Sequence, residues 1–333
     1  MIIAEYIWLD NNLKFRSKTR TIIDSSTIPY WNYDGSSTGQ AEGNFSEIIL
    51  NPVARFNCPF RRGNNILVLC DSYNPNGKPT STNRRIHAKE IFDLSLESKP
   101  WFGLEQEYFM IDPKTKKPFG FPKEGLPKEQ GDYYCGTGMN NVYGRKIADL
   151  HYQMCLEAGL KISGINAEVA PGQWEFQVGP CEGIESGDHL LMARYILERI
   201  AEESQILIEY HPKPIEGKWN GSGCHANFST IQMREGTENK NGLDYINEAI
   251  EKLSHKHEEH MNLYGEGNDL RMTGKYETSD YNTFSSGVGN RGSSIRIPTE
   301  TEKNKRGYFE DRRPSSNCDP YIVTSKIFET SIL

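Results

Sequence analysis

Polar and apolar residues alternate in several separate segments of this chain, and ionisable side chains recur on the polar side. In GINAEVAPGQWEFQVGP (164–180), Pro171-Gly172 predicts a turn between two short strands. Residues two apart share one face of a strand, so Glu175 lies on the same face as Gln173 and Gln177. An ordinary half-buried strand would turn such a polar face toward water.

Three further segments repeat this alternation. WFGLEQEYFM, NGSGCHANFS and RGYFEDRRP each predict a strand, and their polar faces carry Glu105 and Glu107; His225, Asn227 and Ser229; and Tyr308, Glu310 and Arg312. The first strand of 164–180 adds Asn166 and Glu168. If the strands are neighbours, five carboxylates, one imidazole and at least one guanidinium would meet in one cavity. Carboxylates at such short distances cannot all stay ionised unless cations lie between them. Oxygen ligands together with one imidazole suit Mg²⁺ or Mn²⁺. For one segment alone a solvated strand explains the pattern equally well, but not for all four together.

The remaining pattern predicts further strands in residues 1–75, a linker at 73–83, and four helices. The helices are expected over 84–98, 140–158 (ending before Gly159), 187–209 and 242–263. The last helix contains His255, His257 and His260, whose spacing does not match a metalloprotease motif, so a solvated helix face is favoured. Residues 31–38 are rich in small polar side chains and predict an exposed loop.

Composition narrows the class of protein. At 333 residues, two domains are expected. The formal net charge of −7 argues against a nucleic-acid partner, and no apolar run has the length of a membrane span. The first residues lack the pattern of a signal peptide, and seven cysteines without a CxxC pair fit reduced thiols. These features predict a cytoplasmic protein.

A glycine- and serine-rich segment, 271–298, holds Arg271, Arg291 and Arg296. Arginines in such surroundings suit forked contacts with phosphate or carboxylate oxygens. An incidental charge on a surface loop is the alternative, but the position of the segment just before Glu310 favours function. The chain has no GxxxxGK[ST] motif, so any nucleotide would bind without that phosphate cradle.

Taken together, these motifs resemble the eukaryotic-type (type II) glutamine synthetases over nearly the whole chain. The matching segments are WNYDGSST (31–38), WFGLEQEY (101–108), GINAEVAPGQWEFQVGPCEGI (164–184), WNGSGCHANFS (219–229), ETSDYNTFSSGVGNR (277–291), SIRIP (294–298) and GYFEDRRPSSNCDP (307–320). The resemblance implies an α+β fold, with a small N-terminal β-grasp domain over 1–76 and a catalytic domain with a curved antiparallel sheet flanked by helices over 77–333. It implies ATP-dependent ligation of ammonia to glutamate through γ-glutamyl phosphate.

The resemblance also implies residue roles. Glu107, Glu168 and Glu175 would hold a metal near glutamate, and Glu105, His225 and Glu310 a metal at the ATP phosphates, with Mg²⁺ or Mn²⁺ in two or three sites. Asn220, Gly221, Arg271 and Arg312 would contact the amino acid, and Arg291 the transferring phosphoryl group. Trp101, Pro180, Asn227, Ser229, Arg234, Arg296 and Tyr308 would border ATP. Asp34, Ser37 and Glu277 would form the ammonium site.

As partners, the resemblance implies glutamate, ammonium, ATP and further copies of the chain, arranged as a decamer of two pentameric rings with shared sites. No nucleic acid or membrane is expected. Tyr276 and Leu270 depart from the usual family pattern, and the short ends of the chain bear on the oligomer contacts more than on the chemistry.

Three other functions remain to be weighed. A relative that uses a larger amine would not need Asp34, Ser37 and Glu277, all of which are present. A catalytically inactive structural homologue would have lost metal ligands, and none is lost. A generic metal phosphohydrolase would explain the carboxylates but not the segment 31–38.

Overall fold

The computed structural model describes residues 1–276 and 278–333. Within them, the first sheet consists of β1 (Ile2–Leu9), β2 (Phe15–Ile22), β3 (Trp31–Asp34), β4 (Glu47–Asn57) and β5 (Ile66–Tyr73). Its strand order is β2-β1-β5-β4-β3. The pair β1–β5 is parallel, and the other pairs are antiparallel.

The second sheet is larger and curled, and it carries the polar faces predicted from the sequence. Its strands are β6 (Trp101–Asp112), β7 (Lys117–Pro118), β8 (Ile162–Ala167), β9 (Gln173–Glu182), β10 (Leu207–Glu209), β11 (Cys224–Ser229), β12 (Ser286–Val288), β13 (Ile295–Ile297) and β14 (Phe309–Asp311). The main path runs β12-β13-β14-β11-β6-β9-β8, and only β12–β13 is parallel. Strand β6 is therefore central, with β9 on one side and β11 on the other.

Helices cover the apolar face of the second sheet. The described helices are α1 (Arg84–Asp93), α2 (Arg145–Ala158), α3 (Glu185–Ser204), α4 (Ile231–Glu235), α5 (Gly242–His255), α6 (His257–Met261), α7 (Thr299–Asn304) and α8 (Pro320–Ile332), of which α2, α3, α4 and α8 lie directly against this sheet. The alternation explains the packing, because Phe176 and Phe228 point to the helices while Glu175 and His225 point away from them. The predicted α+β class is confirmed. No helix among the described residues is long and apolar enough to cross a membrane.

The first sheet is buried on both faces near β1. Tyr6 and Trp8 lie on one face, in an apolar core formed by residues of the first sheet. Ile7 lies on the other face and belongs to the large core that also contains α3. Glu5 lies on the same face as Ile7, and its buried carboxylate accepts hydrogen bonds from Tyr195, at 2.5 Å, and Arg199, at 2.8 Å. Apart from Glu5, β1 consists of apolar and aromatic residues, because the strand is buried on both faces.

Several predicted boundaries are wrong. The third predicted helix ends at Ser204, because Gln205 has a φ of 54° and residues Leu207–Glu209 then pair with β6. The predicted helix over 84–98 ends as α1 at Asp93. The expected loop at 31–38 starts as β3, and a short 3₁₀ turn follows it. The end before Gly159 is confirmed, with a left-handed Gly159 at the C-terminus of α2.

The histidines of α5 and α6 are mostly not solvated, which corrects a further expectation. His260 is fully buried, and its ring nitrogens bond the hydroxyls of Tyr264, at 2.6 Å, and Thr330, at 2.8 Å. His257 is also buried and contacts the carbonyl oxygen of Tyr281 at 2.9 Å. Only His255 of the three is exposed. His257 and His260 serve as packed polar groups behind the second sheet.

Candidate active site

The strand register brings the polar side chains of four strands together. Glu107 on β6 lies directly opposite Glu175 on β9, and Glu105 lies opposite His225 on β11. Further along, Glu310 on β14 pairs with positions on both β11 and β13. Paired residues on neighbouring strands point to the same side of a sheet, so these groups share one face.

This face forms the floor of a cavity of about 250 Å³. Twelve of the residues selected from the sequence line it: Glu105, Glu107, Glu168, Glu175, Asn220, Gly221, His225, Arg271, Arg291, Arg296, Glu310 and Arg312. The carboxylates come from β6, β9, β14 and the turn after β8, and the arginines come from the segment 271–312. Opposite charges therefore meet across one small polar space.

Two groups of side chains have the spacing of metal ligands. Ligand atoms of Glu105, His225 and Glu310 lie within 4.8 Å of one another, and so do those of Glu107, Glu175 and His225. Burial and the charge of Glu168 raise the pKa of Glu107 to about 8. Burial and the charges of Glu105 and Glu107 raise the pKa of Glu175. Carboxylates held this way are stabilised by cations in place of protons.

His225 lies between the two groups. Its Nδ1 lies 3.4 Å from Glu105 Oε2 and 3.5 Å from Glu310 Oε1, and its Nε2 lies 4.0 Å from Glu107 Oε1. Burial, followed by the charge of Arg312, lowers its pKa, so the imidazole is neutral and able to act as a ligand. The buried Nδ1 has no hydrogen-bond partner among the described residues. This oxygen-rich donor set with one imidazole fits Mg²⁺ or Mn²⁺.

Hydrogen bonds anchor three of the guanidinium groups around the cavity. Arg271 is buried and donates to backbone carbonyls of Arg312, at 3.0 Å, and Arg313, at 2.8 Å. Arg296 and Arg312 each donate to the carboxylate of Glu310, at 3.2 and 2.5 Å. The guanidinium of Arg312 also donates to the carbonyl of Arg291 at 3.1 Å. Planar groups anchored in this way suit binding of carboxylate and phosphate oxygens.

Asn220 and Gly221 form one wall by close approach of the backbone. A Cβ at Gly221 would lie 2.1 Å from the carbonyl oxygen of Pro212 and 2.5 Å from Cγ of Arg271. Only glycine therefore allows this chain segment to lie against Arg271. Gly223 has the same constraint, because a Cβ there would lie 2.8 Å from Nε2 of His225.

The residues selected for ATP, other than Arg296, lie outside the lining of this cavity. The guanidinium of Arg234 lies 3.8 Å from the ring centre of Trp101 and donates to Ser229 Oγ at 2.9 Å. Asn227 donates to Glu105 Oε1 at 2.8 Å, which connects this region to the carboxylates. Tyr308 is partly exposed, and burial with the nearby charges of Glu105 and Glu310 raises its pKa. Pro180 lies on β9, after a cis peptide bond.

Two further selected residues, Asp34 and Ser37, lie outside the lining of this cavity. Ser37 donates to Asp34 Oδ2 at 2.7 Å on an exposed surface of the first sheet, and this bond is the main cause of the lowered pKa of Asp34. Neither residue is among the described residues that line the cavity. Glu277 lies outside the described residues.

Some lining residues were missed by the sequence analysis. The period of two places Gln173 on the polar face of Glu175, but it assigns this residue no role in the site. Tyr134, Tyr276 and Thr278 lie in irregular segments, where no periodic signal exists. Burial raises the pKa of Tyr134, with a contribution from Glu168.

Comparisons with known proteins agree with this geometry. Residues 82–262 match a family described as "Glutamine synthetase, catalytic domain". The chain is 56% identical, over 340 aligned positions, to the Arabidopsis thaliana protein named glutamine synthetase cytosolic isozyme 1-3, covering 100% of this chain and 95% of the relative. It is 57% identical to the Pisum sativum root isozyme B and 54% identical to the Agaricus bisporus glutamine synthetase, each covering 100% of this chain and 94% of the relative.

Proposed function

This chain belongs to the glutamine synthetase family, and we propose that it joins ammonia to the γ-carboxylate of L-glutamate. The reaction is driven by ATP, passes through γ-glutamyl phosphate, and gives L-glutamine, ADP and phosphate, which places the protein in nitrogen assimilation. The observation that carries the proposal is the convergence of five carboxylates, His225 and four arginines on one cavity.

The chemistry explains why such a cavity is needed. A carboxylate has no acceptable leaving group, so one of its oxygens must first become part of a phosphate. Phosphoryl transfer needs positioning and neutralisation of negative charge far more than covalent help from the protein. Fixed guanidinium groups and cations supply that neutralisation.

On the amino-acid side, we assign Asn220, Gly221, Arg271 and Arg312 to glutamate. The support is that Arg271 is buried and anchored, so its charge is available at a fixed point for the α-carboxylate. Arg291 is assigned to the transferring phosphoryl group, because it lies in the same lining and its carbonyl is bonded by Arg312.

The family uses ATP and a divalent metal, and the donor set described above fits such a metal. We propose Mg²⁺ or Mn²⁺ in two or three sites. Glu107, Glu168 and Glu175 would hold one ion near glutamate, and Glu105, His225 and Glu310 another near the ATP phosphates. When bound, the cations would neutralise the phosphate oxygens as the γ-phosphoryl group transfers. Removal of divalent ions with a chelator should silence turnover, and addition of Mg²⁺ or Mn²⁺ should restore it.

We assign ATP to the region of Trp101, where the stacked Arg234 and the bonded Ser229 form a platform. Pro180, Asn227, Arg296 and Tyr308 complete this assignment. The contact of Asn227 with Glu105 supports the order from nucleotide to metal to amino acid.

For ammonium we assign Asp34, Ser37 and Glu277. Ammonium must lose a proton before its nitrogen can attack, so a carboxylate can first bind it and then accept that proton. Because Asp34 is exposed and away from the cavity of its own chain, we propose that it completes the site of an adjacent subunit. A decamer of two pentameric rings with shared sites would provide this arrangement.

Two further assignments accompany the function. The relatives from Arabidopsis thaliana and Oryza sativa are named cytosolic isozymes, and we infer a cytoplasmic location for this chain. We also propose a domain boundary between residues 76 and 77, because the first sheet ends at Tyr73 and the first helix starts at Arg84.

The decisive experiment measures phosphate release that depends on ATP and glutamate, first with ammonium and then with methylamine. We expect release with ammonium, formation of glutamine, and much slower release with methylamine. Preference for the larger amine would instead identify a relative that ligates alkylamines. Phosphate release without glutamate would identify a phosphohydrolase, and no turnover with either amine would identify an inactive homologue.

A further inference from the structure

The side-chain amide of Gln130 makes two hydrogen bonds with Asn220, one through its nitrogen and one through its oxygen. Gln130 Nε2 donates to Asn220 Oδ1 at 2.7 Å, and Gln130 Oε1 accepts a hydrogen bond from the backbone N–H of Asn220. The two residues are 90 positions apart in the sequence, so this contact is a product of the fold. Gln130 itself is half-buried and does not line the cavity.

The loop that carries Gln130 is fixed at a second place. This loop, residues 119–144, connects β7 to α2. The N–H of Gly131 donates to the carbonyl of Val169 at 2.8 Å, and the N–H of Cys135 donates to the carbonyl of Ala167 at 3.0 Å. The loop therefore spans from Asn220 to the residues on either side of Glu168, and Gln130 is held in a defined position.

A second glutamine bonds the residue that follows Asn220. Gln173 Nε2 donates to the carbonyl of Gly221 at 3.1 Å, and also to Glu107 Oε2 at 3.3 Å. Because Gln173 touches a proposed metal ligand, changing it would disturb two functions at once. Gln130 bonds Asn220, and no hydrogen bond between the described residues joins Gln130 to one of the six proposed metal ligands.

We propose that Gln130 is a positioning residue that orients the Asn220 amide for the α-carboxylate of the amino-acid substrate. An asparagine side chain can present either a donor or an acceptor to a ligand. With Oδ1 occupied by the Gln130 donor, Nδ2 is the atom left to bond a substrate, and a carboxylate requires a donor. This inference rests on the proposed function, since it concerns how that same site recognises glutamate.

The first test replaces Gln130 with alanine. Gln130→Ala removes both bonds to Asn220 and should raise the KM for glutamate about tenfold, the effect of losing one or two hydrogen bonds. The KM for ATP and kcat should change less than about twofold, because no ATP or metal contact is lost. Glu129→Ala is the matched control, since the exposed neighbouring side chain makes no such contact and should leave all constants unchanged.

The second test separates orientation from packing. Gln130→Glu keeps the size of the side chain and the acceptor for the Asn220 N–H, but it replaces the donor with a second acceptor. Asn220 would then turn its Nδ2 toward that carboxylate and present Oδ1 to the substrate. A positioning role therefore predicts that Gln130→Glu raises the KM for glutamate at least as much as Gln130→Ala, whereas a packing role predicts a nearly normal KM.

The outcomes separate this proposal from the proposed function. A wild-type protein without ammonium-dependent glutamine formation would overturn the function itself. An active wild type with a normal KM for glutamate in Gln130→Glu would overturn only the orientation by Gln130. Equal rises in the KM for ATP and for glutamate would also overturn it, because they indicate a general disturbance of the site. If Gln130→Ala proves unstable, the isosteric Gln130→Glu variant still decides the question.

Discussion

At the residue scale, the site is dominated by Glu107 and Glu175, which lie opposite each other on paired strands and are both buried. Two buried carboxylates this close cannot both ionise without compensation, and their raised pKa values express that cost. A divalent cation bound between the two carboxylates would reduce their electrostatic repulsion. Removal of one carboxylate is expected to harm ligand binding much more than folding.

The first prediction follows from this balance. Glu175→Ala and His225→Ala should each lower turnover by more than about 100-fold, because each removes a metal ligand shared with the neighbouring carboxylates. Thermal unfolding without metal should change little, and Glu175→Ala can even raise the midpoint by relieving repulsion. Glu203→Ala, at an exposed position near the end of α3, serves as a control with normal turnover. Normal activity in either ligand variant would contradict the assignment.

The residues in and around the cavity differ in how far the sequence predicts their positions. Glu105 and Glu107, or Gln173 and Glu175, show the period of two that a strand imposes, so their common face can be predicted. Tyr134 and Gln130 lie in the irregular loop 119–144, and their contacts depend on the path of that loop over the sheet. Local sequence patterns contain no information about such long-range placement.

At the scale of elements, β14 and the two residues that follow it carry charged side chains on both faces of the second sheet. Glu310 and Arg312 face the cavity, whereas Asp311 and Arg313 form a fully buried ion pair on the opposite side. Tyr264 donates to Asp311 at 2.9 Å and also contacts His260, which connects β14 to α6 and α8. The sequence predicts a solvated helix face for the histidines of α5 and α6, because their spacing does not match a metalloprotease motif. Tertiary partners override that local signal: Thr330 lies 70 positions from His260, and Tyr281 lies 24 positions from His257.

The second prediction concerns this buried network. Burial lowers the pKa of His260 to about 3, below the ordinary value of 6.5. The folded protein then keeps a neutral imidazole where the unfolded chain binds a proton. His260 therefore costs no unfolding free energy above pH 6.5. As the pH falls from 6.5 toward 3, the free energy of unfolding decreases by about 1.4 kcal/mol per pH unit.

His260→Gln should therefore reduce the loss of stability between pH 6.5 and 5, even though it lowers stability at pH 7 by about 1–3 kcal/mol through the lost hydrogen bonds. Urea unfolding at several pH values measures both effects. His255→Gln changes an exposed histidine of the preceding helix and should keep the wild-type pH dependence. Identical slopes for the wild type and His260→Gln would refute the buried neutral imidazole.

At the scale of the whole molecule, the two sheets share one core. Ile7, Leu67 and Leu69 of the first sheet belong to the same apolar cluster as the helices of the second. The buried carboxylate of Glu5 reinforces this contact by pairing with Arg199 and Tyr195 of α3. The expectation of two domains rests on chain length alone, and chain length gives no information about how large a core the two sheets share. The packing gives the first sheet, and with it Asp34, a defined orientation relative to the cavity.

The last prediction tests whether that orientation directs Asp34 to another subunit. Asp34 and Glu175 belong to different sheets, and Asp34 lies on an exposed edge rather than in the cavity of its own chain. Asp34→Ala and Glu175→Ala proteins should each be nearly inactive alone. After dissociation and reassembly of an equal mixture, about a quarter of shared sites in a cyclic oligomer would pair an intact Asp34 with an intact Glu175. Turnover should recover in that proportion, with co-assembly verified by differently tagged subunits. If the mixed oligomers form but stay inactive, both residues serve a site within a single chain.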